Sequence, residues 1–505
     1  MRMIAVILLA ATLSFSALAK STASRSSSPL LAEEEDTVRQ AIRRAYYLIQ
    51  ANDLPGAAAI IDEATRSPAF ANSPAEQRYA ATFLAGAIAL DRGETETAHR
   101  WFVLATEFKQ SDSKDWHSRL RTAYDLKDYD DSARCVTQIA KRWPKTLVEI
   151  RAQAIFRIGV QLNEERKDDA YRNMLESLFD AGWTGNDADP DGLWADLARL
   201  LLARDDVRKA KQVASHVHLP LEVVALRADR RFDRITRKDP EAFQIARAID
   251  FTLKATEAAV RTSPDRLQPL MRLQSRLFQS AQFERAISIA DDVIAKAAAD
   301  GGSKVYEDFD EYYAWILDQR AEALARLGRW DEALKQREKA ARRPESGQMN
   351  VSQVINLGEL YNTLGRPQDA LDTITEVGAM SPYGRMQLEM IRLDASMQRN
   401  DAQAVANHLA FMREHRTDAI ATWQMALVIT DDLQGAANLL LERLRREDWR
   451  NQALVDIQDY MELPSTPILS KRRLQWKALL ARPEVRSAIE NVGRVERYEI
   501  PGPRS

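Results

Sequence analysis

Cysteine is nearly absent: Cys135 stands alone among 505 residues, so no internal disulfide can form. Stability must then come from burial of a core. Turn-makers are scarce as well. Eighteen Gly and 18 Pro fall well below the usual combined share of ~12%, and alternating runs of Val, Ile and Thr are few. Together these shortages point away from β architectures and toward helix throughout. Neither sign of charge prevails. With 71 Lys+Arg against 74 Asp+Glu, a net charge of -3 argues against a nucleic-acid partner. Past the N-terminus no apolar run approaches the ~20 residues that span a bilayer, so membrane insertion is not expected. Catalytic signatures are missing too: there is no G-x-S-x-G, H-E-x-x-H, Walker loop or G-x-G-x-x-G. Neither an enzyme nor a cofactor is expected.

What is present begins with a short positive start, Met1-Arg2-Met3, and an apolar stretch from Ile4 to Leu13. Small residues follow and end in Ala17-Leu18-Ala19. These are the parts of a secretory signal peptide. Residues 1–19 are expected to be cleaved after Ala19, leaving a mature chain in a bacterial periplasm. Ser-rich residues 20–32 read as a disordered linker.

From Glu33 onward short amphipathic stretches alternate with tight turns, and they repeat. The clearest unit has Val354, Leu357, Gly358 and Tyr361, then Gly365, Ala370, Ile374 and Pro382. Gly358 and Ala370 are small enough for two helices to approach closely, Tyr361 and Ile374 fill the gap, and Gly365 makes the turn. Pro382 is expected to close the second helix. The unit resembles the tetratricopeptide pattern W-x2-L-G-x2-Y…A-x3-F…P, with Val for Trp and Ile for Phe. The small residue of the second helix recurs at Ala57, Ala98, Ser132, Ala170, Ala210, Ala286, Ala333, Ala370, Ala404 and Ala436, with two intervals of 34 residues. One interval, from Ala210 to Ala286, spans 76 residues and leaves room for a further unit near 221–264. Further units carry Gly86, Gly93 and Phe102, then Trp116 and Tyr129, then Trp194, then Gly328-Arg329-Trp330.

The resemblance implies an all-α fold, an α-solenoid of about eleven stacked helical hairpins in a right-handed superhelix. The expected divisions are N-terminal repeats over 33–264, C-terminal repeats over 265–447, and capping helices with a tail over 448–505. A helix near Ser470 to Ala481 is expected to cap the last repeat, and Arg494 to Ile500 to form a short extended segment.

Several clusters invite chemistry, each beside a plainer reading. Asp187, Asp189 and Asp191 precede Gly192 in a D-x-D-x-D-G run suited to Ca2+, yet Ala198 stands where a twelfth-position Glu would be. The same aspartates suit the start of the helix carrying Trp194. His216 and His218 are two apart and point to different helix faces. Cys135 reads as a small buried residue. Arg227 to Lys238 interleaves arginines with Asp229, Asp233 and Asp239, as on a solvated, internally paired face. Tyr306 to Tyr313, acidic and aromatic, reads either as a gripping loop or as the first turn of a long helix. Glu345-Ser346 resembles the catalytic pair of lytic transglycosylases but lies between repeats, without the rest of that domain.

By the tetratricopeptide resemblance, exposed positions on the first helix of each hairpin face a concave groove. Lys114, His117, Arg121 and Tyr124 occupy them in one unit, Trp315, Asp318 and Glu322 in another, and Glu359 and Asn362 in a third. No run of Lys and Asn crosses successive repeats, so a free C-terminal carboxylate is not the expected partner. The expected role is a periplasmic scaffold or adaptor that holds a protein or peptide of the cell envelope. The alternative is an exported module binding glycan or peptidoglycan fragments on groove aromatics.

Overall fold

A computed structural model of the chain describes residues 29–185, 188–344 and 350–503. The expected signal peptide, most of the linker, Asp187 and the Glu345-Ser346 pair lie outside these residues. The chain divides into two compact units, residues 1–200 and 201–505.

In the first unit, α1 (Pro29–Gln50) opens the helical series, so the last four residues read as linker are helical. It pairs with α2 (Leu54–Arg66), and the short α3 (Pro68–Asn72) follows. Next come α4 (Ala75–Asp91) with α5 (Thr95–Glu107), and α6 (Ser113–Asp125) with α7 (Tyr129–Arg142). The fourth pair is α8 (Ala152–Glu164) with α9 (Asp168–Asp180), and α10 (Asp191–Ala203) follows.

The second unit begins with α11 (Val207–Ala214), α12 (Pro220–Ala228), the one-turn α13 (Asp233–Thr236) and the long α14 (Ile245–Thr262). Hairpins then resume. They are α15 (Leu267–Gln279) with α16 (Phe283–Asp300), and, after the short α17 (Gly302–Val305), α18 (Phe309–Arg326) with α19 (Trp330–Ala341). The series continues through α20 (Ser352–Thr363) and α21 (Pro367–Thr373), α22 (Pro382–Gln398) and α23 (Ala402–Glu414), then α24 (Ile420–Ile429) and α25 (Leu433–Arg445). The chain ends with α26 (Glu447–Asp456), β1 (Asp459–Tyr460), α27 (Pro467–Leu480), α28 (Pro483–Val492) and β2 (Arg497–Tyr498). Each unit is thus an α-solenoid of stacked hairpins. No helix among the described residues is long and apolar enough to cross a membrane.

One turn geometry builds every hairpin of the series. After the first helix, a residue with φ between 56° and 79° breaks the right-handed run. Gly93, Gly328 and Gly365 serve this role, but so do Asn52, Lys127, Arg166, Asp205, Ala281, Asn400 and Asp431. The next residue donates its N–H to the carbonyl five residues back, as Asp53 does to Leu48 (2.8 Å) and Asp432 to Leu427 (3.0 Å). That is the Schellman closure, which satisfies carbonyls the helix end would leave bare. In five turns this next residue is an aspartate (53, 128, 206, 401 and 432) whose carboxylate caps the second helix.

The turn sets the register, and five residues beyond it a side chain is enclosed between the helices. Ala57, Ala98, Ser132, Ala210, Ala286, Ala333, Ala370 and Ala436 are fully buried there. In two hairpins the expected anchor is displaced by one. Counting from Arg166 gives Tyr171, which is buried, whereas Ala170 is only half-buried. Counting from Asn400 gives Val405, which packs on the adjacent core cluster, rather than Ala404. Small size marked the wrong neighbour because the backbone, not the volume, decides which residue points inward. Tyr171 fits because Gly159 opposite it leaves the space: a Cβ there would lie 3.0 Å from the Tyr171 ring.

Two more expectations give way. Pro382 opens α22 instead of closing the helix before it, with Ser381 capping through Gly384 N–H (3.1 Å). No turn of the hairpin type occurs between Asp205 and Ala281 among the described residues, so the long interval holds no further regular unit.

The C-terminal segment serves that irregular place. Residues 461–482 first run along the turn ends of the second unit: Pro464 lies beside Gly328, Ile468 beside Gly365, Arg472 pairs with Asp394, and Gln475 bonds Asp431 (3.2 Å). The tail then returns to α12. Gly493 forms an antiparallel bridge with Asp229, and Arg494 N–H donates to Ala228 (3.0 Å) while its guanidinium reaches Asp233 (2.5 Å). Arg227 binds Glu496 (2.8 Å), β1 and β2 pair in parallel, and Tyr498 and Ile500 join Val224 and Ala225 in one apolar cluster. Arg227 to Lys238 therefore keeps the expected internal pairs, Arg231 with Asp229 (2.5 Å) and Arg237 with Asp233 (3.9 Å), but also seats the tail. Helix α27 packs on the last hairpin as expected while reaching earlier turns as well.

Candidate functional site

The groove residues expected on α6 form a stripe along one helix face. Lys114 and Arg121 are exposed. His117 is half-buried, bonded to Thr146 Oγ1 (3.0 Å), and burial holds its pKa below the usual value. Tyr124 stacks edge-on to Tyr129 with ring centres 6.1 Å apart. Under this stripe α6 is fixed by Arg119, whose guanidinium grips Asp131 on α7 and donates to Thr106 Oγ1 on α5 (2.7 Å). On the same helix Asp115 is fully buried. It accepts from Tyr79 Oη (3.0 Å) and from Asp112 N–H (2.7 Å), yet burial pushes its carboxyl up to about 6.

In the second unit two expected groove residues prove to be interior. Asp318 is fully enclosed and accepts from Asn356 Nδ2 on α20 (2.9 Å). Asn362 is also buried and donates to the Ile391 carbonyl on α22 (2.9 Å). Glu322 is largely covered, accepting from Arg337 (2.7 Å) and Arg326 (2.8 Å). The physical reason is stacking. The next hairpin lies over Asp318 and Asn362, and a buried carboxylate or amide persists only with partners, which that hairpin supplies. Asp318 and Asn362 thus join repeats to each other, whereas Glu322 is paired within its own hairpin. Glu359 remains exposed and Trp315 half-exposed.

Other clusters resolve into structure. Asp308 accepts from Leu267 N–H (2.7 Å) and Gln268 N–H (3.0 Å), capping α15, while Asp310 and Glu311 sit in the first turn of α18. The acidic aromatic segment is thus the start of a long helix, the second of its two readings. Trp116 and Trp194 are buried. Cys135 is buried, and burial raises its thiol pKa well above the usual value. His218 stacks on Phe251 (3.7 Å), and His216 bonds the Gln212 carbonyl (3.0 Å). Asp191 lies in the first turn of α10.

What the sequence did not single out is an open cleft of about 550 Å3 between α16, α18 and α19. Its apolar floor is Ile294, Tyr313 and Leu317; its rim carries Lys339, Arg342 and Arg343 at the end of α19. Phe309 stacks on Tyr313 (4.4 Å), and the Arg343 guanidinium lies 4.5 Å from the Tyr313 ring centre. Gln336 lines the cleft and is 6% exposed. Its Oε1 accepts from Arg320 (3.4 Å), but its buried Nε2 has no hydrogen-bond partner. The sequence signal was modest: three cations within five residues, Lys339, Arg342 and Arg343.

Residues 314–338, from α18 into α19, match the family model of the tetratricopeptide repeat. No curated protein matches the chain. Among solved structures, the chain is similar to the APC/C hetero-tetramer Cut9–Hcn1, at 12% identity with a TM-score of 0.29, over 90% of this chain and 89% of that one. It is similar also to Naa15/Naa10 bound to HypK-THB (11%, TM-score 0.25, 89% and 84%) and to yeast Tom70 (13%, TM-score 0.26, 90% and 99%). Likenesses this distant carry no argument about function.

Proposed function

We propose that this chain is a scaffold that binds a protein partner along its stacked hairpins and does no chemistry of its own. The observation that carries the reading is the repeat itself. Hairpins of one turn geometry stack in each unit, and one of them matches the tetratricopeptide model. A stack of this kind spends its buried groups on joining repeats, as Asp318, Arg337 and Asn356 do. It leaves side chains such as Lys114 and Arg121 of the first unit, and Glu359 of the second, in solvent, and within each unit successive hairpins offer such positions to an extended or helical partner.

The N-terminal residues support a site of action outside the cytoplasm. Met1-Arg2-Met3, the apolar run and Ala17-Leu18-Ala19 have the order of a cleaved export signal. The reading is therefore an adaptor of the cell envelope, in the periplasm of a bacterium.

In-cell crosslinking of the tagged full chain, followed by mass spectrometry, tests the binding role. A dominant protein partner, lost when Lys114 and Arg121 are both replaced by Glu, is the expected result. Recovery of cell-wall material alone, with no protein, overturns it. Sequencing the N-terminus of the purified protein tests export: a chain starting at Lys20 is expected, and one retaining residues 1–19 rules the export reading out.

A further inference from the structure

We infer that the cleft between α16, α18 and α19 is a docking site for an acidic protein segment that carries a large apolar side chain beside its carboxylates. The inference rests on the scaffold reading and supplies the chemistry of one partner.

Charge is the first argument. Around the cleft, the other arginines of α18, α19 and the turn between them are matched. Arg320 binds Asp291 (2.7 Å), Arg326 binds Glu322 (2.8 Å), Arg329 binds Glu332 (2.7 Å), and Arg337 reaches both Glu322 and Asp318. Lys339, Arg342 and Arg343 are exposed at the rim, and no carboxylate among the described residues forms an ion pair with them. Cations are favoured at a helix C-terminus by the dipole. That accounts for their being there, but not for what they surround.

The second argument is independent of charge. Gln336 sits at the floor with an amide nitrogen that is buried and unpartnered. A buried donor left without an acceptor is unfavourable, and the side chain that carries it lines the cleft. A carboxylate or a peptide carbonyl supplies one. Beside it, Ile294, Leu317 and the face of Tyr313 offer an apolar surface, with Arg343 held over the same ring. A ligand with only negative charge would leave that surface uncovered; an apolar one would leave the donor and the three cations unmatched. An acidic segment with a Leu, Ile or aromatic residue satisfies both. A volume of about 550 Å3 suits one or two side chains, in the range of small-ligand clefts.

The test is selection of a random twelve-residue display library on the full chain, run in parallel on a Lys339→Glu/Arg342→Glu/Arg343→Glu variant and on Gln336→Leu. Circular dichroism and melting of both variants establish that they fold. Sequences enriched on the native chain should hold Asp or Glu next to a large apolar residue. Synthetic copies should bind the triple variant at least tenfold more weakly and Gln336→Leu several-fold more weakly. Enriched peptides without net negative charge, or with equal affinity for native and variant chains, overturn the cleft assignment while leaving the scaffold reading intact. Enrichment of nothing on any of the three proteins counts against both. Stronger competition by a sulfated oligosaccharide than by the acidic peptides, lost in the triple variant, would hand the cleft to a polyanionic glycan and also overturn the proposal.

Discussion

Single positions in this protein are governed by what the neighbouring hairpin places over them. Ala370 is enclosed between two helices, where Gly358 leaves room for Ile374: a Cβ at Gly358 would lie 3.2 Å from it. Replacing Ala370 with Arg overpacks the contact and buries a charge, and is expected to cost roughly several kcal/mol. A urea melt that matches the native one would place the residue elsewhere. Asp115 gives a pH-dependent case. Folded, its carboxyl holds a proton up to about 6, against an ordinary value of 3.8. The folded state therefore binds more protons between these values, and its stability falls as pH rises through that window. The native chain should lose stability relative to Asp115→Asn between pH 4 and 7, by up to about 3 kcal/mol from the size of the shift. A constant difference between the two urea midpoints would show that the carboxyl is not raised.

At the level of elements, the turn is the organising device, and half of the turns were open to reading. Aspartates at 53, 128, 206, 401 and 432 stand four residues before their enclosed side chains, a spacing that identifies the cap once it is looked for. Four of the left-handed residues before them, Asn52, Asp205, Asn400 and Asp431, are of the types that tolerate positive φ, whereas Lys127, and Arg166 and Ala281 in turns without an aspartate cap, have no preference that advertises it. Asp432→Ala removes a bond to Gly435 N–H (2.8 Å) and should cost about 1 kcal/mol. Gln282→Ala, at the same position of a turn without a side-chain cap, should change stability by only a few tenths. Equal losses in thermal melts of the two variants would mean that the carboxylate does not cap. The same logic explains why the groove was only half legible. Lys114, Arg121 and Glu359 lie in solvent as the helical period places them, but Asp318 and Asn362 share that period and are covered by the next hairpin.

On the scale of the second unit as a whole, the break in the repeats and the tail are two halves of one feature. An open stack leaves its ends uncovered, and repeat proteins need polar caps there. Here α12 and the residues after it, which form no regular hairpin, are covered by the C-terminal segment through Gly493, Arg494, Glu496 and Tyr498. Truncation after Val492 should expose Val224 and Ala225 and speed amide hydrogen exchange over residues 220–236 at least tenfold, with little change in α18 and α19. Unchanged exchange in 220–236 would mean that the tail contact is not stabilising. The partly exposed Arg227–Glu496 pair contributes little by itself, so the effect should come chiefly from the apolar cluster and the backbone bridge.

Composition and period were enough to establish helices, hairpins and their near-34-residue spacing, because those follow from local propensity and from the need of each amphipathic helix to bury one face. They were enough, too, to place most enclosed small residues, Ala57 and Ala436 among them. Tertiary contact decided the rest. Whether a polar side chain on a first helix faces solvent or a neighbour depends on a hairpin some 35 residues away; Asp318 and Asn356 are 38 apart. The seat of the tail depends on residues more than 260 apart, such as Arg227 and Glu496. No local pattern encodes that pairing, since it is selected by the closing of the stack and by the burial of apolar surface that closing allows.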